Sequence, residues 1–139
     1  MKYKIRDYRQ EDYDEIMELW QELGLGNKER GDNKEVIERT LKLGAKLFVM
    51  ENEKHEIIGT SWITFDGRRL LLHHFGIKKK YQGKGLSKIL MDKTIEFAKE
   101  KNIQIKLEVH KDNFKAINLY KQYGFKDLSD YLILIIRKY

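Results

Sequence analysis

The chain has 139 residues, 28 Lys and Arg against 22 Asp and Glu, a formal net charge of +6, and neither Cys nor Pro. That length suits one domain, residues 1–139, built on one core, and 41% hydrophobic with 36% charged residues is a globular mix rather than a disordered or fibrous one. The lack of Cys excludes disulfides, thiolate nucleophiles and thiolate metal ligands and fits a reducing, cytoplasmic setting, and the longest apolar run, Tyr131–Ile136, is strand-sized, far short of the ~20 residues of a membrane span.

Tyr3–Tyr8 reads as a strand, reached from Met1 with no signal-peptide pattern. Glu11–Leu23 reads as a helix, because Ile16, Leu19, Trp20 and Leu23 recur at the spacing of one buried face. Gly24 and Gly26 end it. Asp32 and Glu35 form a capping-box-like pair that starts a second helix. Val36, Ile37, Thr40, Leu41 and Leu43 follow, and Gly44 stands where a left-handed cap belongs.

The period then changes. Lys46–Met50 is a strand, Asn52–Glu56 a polar turn and Ile57–Phe65 a second strand. Asp66-Gly67 is a hairpin signal, and Arg69–Ile77 completes an antiparallel meander. A helix is expected over Gly85–Lys101 and a strand over Ile103–Val109, which together with the preceding strand make a right-handed parallel crossover. A shorter helix covers Phe114–Tyr123, and Phe125–Leu128 and Tyr131–Arg137 read as a final pair of strands. The predicted order is βααβββαβαββ, an α/β fold with a central mixed sheet flanked by helices.

Ile77-Lys78-Lys79-Lys80-Tyr81-Gln82-Gly83-Lys84-Gly85-Leu86-Ser87-Lys88 joins a strand to a helix. Gly83 and Gly85 permit positive φ and close approach. The first N–H groups of the helix have no intrahelical acceptor, so with the helix dipole they favour an anion such as a phosphate. The lysines add long-range attraction for a multiply charged ligand. On spacing alone, a tight turn flanked by solvated lysines explains the stretch equally well. It is not a P-loop, and Lys88 stands where a dinucleotide fingerprint needs its third Gly.

Gln82-Gly83-Lys84-Gly85-Leu86-Ser87 resembles the Gln/Arg-x-x-Gly-x-Gly/Ala signature of the GNAT superfamily of N-acetyltransferases, with Ser87 departing from the final Gly/Ala. Asn113-Phe114-Lys115-Ala116-Ile117-Asn118-Leu119-Tyr120-Lys121-Gln122-Tyr123-Gly124-Phe125 resembles the superfamily's Asn-x-x-Ala-x-x-Leu-Tyr-x-x-x-Gly-Phe block, in the expected order. The resemblance implies acetyl-CoA as cosubstrate and no metal. It implies that the backbone of Gln82, Gly83, Lys84, Gly85, Leu86, Ser87 and Lys88 holds the pyrophosphate. The Phe75 N–H would polarise the thioester carbonyl and Ile77 would touch the pantetheine arm. Asn113 would bond that arm, its alternative role being a helix cap, and Tyr120 would protonate the leaving thiolate.

For the base, His73 is the candidate. Strand alternation gives it the face of Phe75 and Ile77 and sends His74 the other way. A histidine at the equivalent position relays the amine proton in the arylalkylamine acetyltransferases this chain resembles. Glu108 on the adjacent strand, or ordered water, are the alternatives. Trp20, Trp62 and Tyr131 read as core or pocket wall.

The implied activity is direct acetyl transfer to a small amine or a peptide N-terminus, with no acyl-enzyme, by a monomer or homodimer. A ribosomal-protein N-terminal acetyltransferase is an alternative within the class. Outside it stand a non-catalytic CoA-binding domain and a nucleic-acid-binding module. The latter is disfavoured because no aromatic-interleaved stacking surface accompanies the lysines.

Overall fold

Residues 2–139 are described by a computed structural model. Two compact units divide the chain, Met1–Leu107 and Glu108–Tyr139. The first contains β1 (Lys4–Asp7), α1 (Tyr13–Glu22), α2 (Lys34–Lys42), β2 (Lys46–Glu51), β3 (Ile57–Phe65), β4 (Leu70–Ile77), α3 (Leu86–Lys101) and β5 (Ile105–Leu107). Its sheet follows chain order from β1 to β5. The first four strands are antiparallel, and β4 pairs in parallel with β5 across the α3 crossover. The mixed α/β sheet flanked by helices is the architecture the pattern predicts.

Strand β3 explains the layering. Residues 57–63 are all buried, the mark of a central strand covered on both faces. On one face, Ile16, Leu19 and Trp20 of α1 and Ile37 of α2 pack with Leu47, Val49, Ile57 and Trp62. On the other, α3 supplies Leu90, Thr94 and Phe97. Thr94 Oγ1 lies 2.7 Å from Ser61 Oγ, and the Phe97 ring meets Phe48 edge-on at 6.2 Å. The Asp66-Gly67 hairpin forms as expected. Asp66 Oδ1 accepts the N–H groups of Arg68 and Arg69, both at 2.7 Å, while Gly67 takes φ +93°.

Several predicted boundaries move. Asn33, not Asp32, caps α2: its Oδ1 accepts the Val36 N–H at 2.9 Å, whereas Asp32 accepts the Asn27 N–H and closes the preceding loop. The carboxylate is thereby freed from the helix and turned toward the sheet. β5 is confined to the three residues that pair with Leu70–Leu72.

The second unit contains α4 (Phe114–Gln122), ended by Gly124 at φ +94°. The two strands expected at Phe125–Leu128 and Tyr131–Arg137 do not form. Leu128 instead closes a turn with the Tyr131 N–H at 3.0 Å. Among the described residues no helix is long and apolar enough to cross a membrane.

At the outer edge of the sheet, Arg6 on β1 forms a buried charge cluster. Its guanidinium donates to both oxygens of Asp12, at 2.7 and 2.9 Å, and to Glu51 Oε2 at 3.1 Å. Burial opposes ionisation of Asp12, but the Arg6 side chain and the Arg9 N–H hold its carboxyl below the ordinary range. Glu51 is likewise held low against burial by Arg6. Removing the cation strands two buried carboxylates, so Arg6→Leu should cost roughly 3–5 kcal/mol in urea unfolding at pH 7. Because both folded values lie below the unfolded ones, the stabilisation is present above about pH 4 and is lost as pH falls through the depressed values. The gap between parent and variant should therefore narrow in acid.

Candidate active site

The β3–β4 ladder slips by one residue in its middle. Trp62 pairs with His73 and Thr60 with Gly76, so one residue of β3, Ser61, opposes two of β4, His74 and Phe75. This is a β-bulge, and His74 pays for it with φ +45°, a left-handed conformation rare for a residue with a side chain. The Thr60 hydroxyl spans the slip. It accepts the Trp20 indole N–H at 2.8 Å and donates to the His74 carbonyl at 2.8 Å.

The bulge overturns the expected alternation. Both histidines face the tryptophans: His73 lies 5.6 Å from Trp62 by ring centres, and His74 lies 4.3 Å from Trp20 and 5.4 Å from Trp62. Past the slip the order is reversed. A Cβ at Gly76 would meet Leu23 and Leu25 on the α1 side, whereas one at Gly59 would meet Ile77 and Leu90 on the α3 side. By alternation Phe75 shares the Ile77 face, not the face of His73.

The two imidazoles differ in their partners. His73 Nε2 is 2.8 Å from Thr64 Oγ1. Burial, then the neighbouring His74, push its pKa down to about 4. His74 Nε2 lies 3.1 Å from Asp32 Oδ1, and both side chains are nearly buried. This contact is electrostatic: its alignment falls short of a hydrogen bond, and Nε2 has no other partner. Burial lowers the His74 pKa, and Asp32 works against that shift. The sequence reading missed this pairing because it spent Asp32 on a helix cap. The adjacent acid and amide, Asp32-Asn33, offer two candidates for one cap, which was the only signal that one of them was available.

The loop after β4 is pinned at several points. The Gln82 amide donates to the Ile77 carbonyl at 2.8 Å, so its side chain braces the turn. The Lys79 N–H donates to Glu22 Oε2 at 3.0 Å. The Tyr81 hydroxyl sits between Asn52 Nδ2 at 3.0 Å and Glu56 Oε1 at 3.1 Å, and Lys78 is paired with Glu56 at 3.2 Å. Lys80 and Lys84 each stand 5.4 Å from the Tyr81 ring centre. Gly83 and Gly85 take φ +78° and +80°, and a Cβ built at either would meet nothing within 4 Å. No side chain caps α3, which begins at Leu86 with Ser87 and Lys88 in its first turn. An uncapped helix start, open space beside two glycines and two cations suit the pyrophosphate end of a coenzyme.

In the second unit, Asn113 is the cap of α4, its Oδ1 accepting the Ala116 N–H at 3.3 Å. Tyr120 meets Phe125 edge-on at 5.7 Å, and burial raises its phenol above the ordinary value, so it keeps its proton. Glu108 is exposed and lies just beyond the end of β5. Among the described residues no group of three or more His, Asp or Glu is arranged to hold a metal.

The family model for the acetyltransferase (GNAT) family matches residues 11–125. The chain is similar to a GNAT-family acetyltransferase from Staphylococcus aureus Mu50, with 24% identity, 94% of this chain and 89% of that one covered, and a TM-score of 0.82. It is similar to a predicted acetyltransferase from Clostridium acetobutylicum solved with acetyl-CoA, at 22% identity, 96% of both chains and TM-score 0.74. It is also similar to the PaiA N-acetyltransferase from Thermoplasma acidophilum in complex with coenzyme A, at 21% identity, 91% of both chains and TM-score 0.75. At these identities the likeness is one of fold.

The Thr60 bridge gives a direct test of how the bulge is held. Thr60→Val keeps the volume and strands the buried Trp20 N–H. It should lower unfolding stability by about 1–3 kcal/mol, read by chemical denaturation, while Thr60→Ser should recover most of the loss.

Proposed function

The chain belongs to the acetyltransferase (GNAT) family, acetyl-CoA-dependent enzymes, and we propose that it transfers acetyl directly to a primary amine, on a small molecule or a peptide N-terminus, within a ternary complex. The observation that carries the reading is the pairing of an open glycine loop with a bulged β4 immediately before it. The C. acetobutylicum and T. acidophilum structures, which hold acetyl-CoA and coenzyme A, support it.

Acetyl-CoA, when bound, supplies the activated acetyl group as a thioester. The chain's own residues do the rest. The backbone from Gly83 to Lys88 receives the pyrophosphate, with Lys80 and Lys84 adding positive charge beside it. Phe75 stands in the bulge of β4, and its N–H is the group that would polarise the acetyl carbonyl. Ile77 lines the pantetheine arm. Tyr120 gives its proton to the departing sulfur; this role rests on the Asn113-to-Phe125 motif and on a phenol that burial keeps protonated. Asn113, already engaged as a cap, contributes to the arm's binding chiefly by fixing the start of α4.

For the amine proton, the bulge favours His74 over His73. His73 is held through Thr64 and its pKa is pushed down to about 4, whereas His74, though also lowered by burial, has a carboxylate beside it that works against the shift. Asp32 is then a positioning residue that acts through His74. Glu108 and water remain the alternatives if neither histidine controls the rate.

Two measurements test the reading. Calorimetric titration of coenzyme A should show Gly85→Glu weakening binding by at least about tenfold, since a carboxylate there repels the pyrophosphate and occupies its space; unchanged affinity removes the loop from the site. The pH profile of kcat/KM should fall on the acid side of the His74 pKa. His74→Gln should abolish that limb, Asp32→Asn should move it to lower pH, and His73→Gln should leave it in place. A profile unaltered by both His74→Gln and Asp32→Asn returns the role to Glu108 or water.

A further inference from the structure

Three side chains join the β2–β3 turn, residues 52–56, to the loop after β4. Asn52 first organises the turn itself: its Oδ1 accepts the N–H groups of Lys54 at 3.0 Å and Glu56 at 2.9 Å. Its amide nitrogen then donates to Glu56 Oε1 and to Tyr81 Oη, both at 3.0 Å. The Tyr81 hydroxyl closes the ring of bonds by donating to the same Glu56 oxygen at 3.1 Å, while Glu56 Oε2 takes Lys78 Nζ at 3.2 Å. The bonds from Lys78 and Tyr81 hold the Glu56 carboxyl below its ordinary range, so it is an anion at neutral pH. A phenol with a donor and an acceptor on one turn has a fixed orientation.

That fixed ring governs charge. Lys80 and Lys84 each stand 5.4 Å from the Tyr81 ring centre, so two like charges gather about one aromatic. Ammonium groups on four-carbon stems repel one another and spread into solvent unless something retains them. Here the negative face of the ring does so. The backbone supplies little stiffness of its own, because Gly83 at φ +78° lies between the two lysine-bearing stretches and Gly85 at φ +80° follows. The placement of the cation pair therefore comes from Tyr81, and the placement of Tyr81 comes from the turn.

We propose that Tyr81 is a positioning residue for coenzyme binding: anchored by Asn52 and Glu56, it holds Lys80 and Lys84 where the coenzyme's phosphates arrive. The β2–β3 turn thereby sets affinity for a ligand it does not itself bind. This inference rests on the coenzyme reading of the glycine loop. The physical gain is preorganisation, since side chains ordered before the ligand arrives lose less freedom when it binds. Because Tyr81 acts through two exposed cations, its contribution is electrostatic and is screened by salt.

Calorimetric titration of coenzyme A tests this. At about 50 mM NaCl, Tyr81→Leu should weaken binding about fivefold, and at about 500 mM the gap from the parent should shrink to less than about twofold. Tyr81→Phe keeps the ring and loses the tie to the turn, so its affinity should fall between the two. In a background carrying Lys80→Ala and Lys84→Ala, Tyr81→Leu should cost nothing further, because the cations through which it acts are gone. A residue that only shapes the loop would weaken binding equally at both salt concentrations and in both backgrounds, and that result overturns the proposal. A Tyr81→Phe protein that binds as the parent does overturns the role of the turn. Gly85→Glu separates this inference from the reading beneath it. If Gly85→Glu weakens binding and Tyr81→Leu does not, the positioning role alone is wrong; if Gly85→Glu leaves affinity unchanged, both are wrong.

Discussion

The hydroxyl of Thr60 has a donor on one side and an acceptor on the other at the point where β3 and β4 fall out of step. Trp20 donates into it and the His74 carbonyl accepts from it. All three groups are shielded from water, so none can be left without a partner at low cost. The bridge therefore ties α1 to β3 and β3 to the bulge through a single oxygen. The stacked Trp20 and Trp62 rings, 5.6 Å apart, fill the space beneath the histidines and leave them little freedom to retreat. The geometry of β4 just before the glycine loop is thus set by the core, not by the loop itself.

Charge is distributed in the same spirit. At the sheet's outer edge Arg6 is matched by Asp12 and Glu51. Around the loop the lysines split into two groups. Lys78 is neutralised by Glu56 and helps to hold the loop against the β2–β3 turn. Lys80 and Lys84 rest against Tyr81, where an aromatic face orients a cation without cancelling its charge. The net charge of +6 is consequently less informative than the two lysines that retain their field beside the uncapped start of α3.

How much of this was legible in the sequence follows from the range of each signal. The meander, the Asp66-Gly67 hairpin and the strand–loop–helix passage through Gly83 and Gly85 are written in neighbouring residues, and they form where the pattern puts them. The bulge is not local. His74 carries no mark of a left-handed backbone, and a one-residue slip arises from how β3 and β4 settle against the tryptophans, so alternation assigned the histidines to the wrong faces. Asp32 was hidden by Asn33, an equally good cap one position later. The run Tyr131–Ile136 has the composition of a strand, yet no strand is assigned there.

The left-handed conformation of His74 also bears on how this protein would respond to selection. A non-glycine residue at φ +45° costs on the order of 1 kcal/mol or more relative to Gly or Asn, and a buried imidazole beside a carboxylate adds to that burden. Position 74 is therefore one where drift or directed evolution under heat alone has an easy gain, toward a small residue that relaxes the backbone. Such lineages would grow more robust while discarding the imidazole. A library screened for thermal tolerance and then for acetylation should accordingly show the two traits diverging at this codon, whereas substitutions at the solvent face of α2 or α3 would leave them uncoupled.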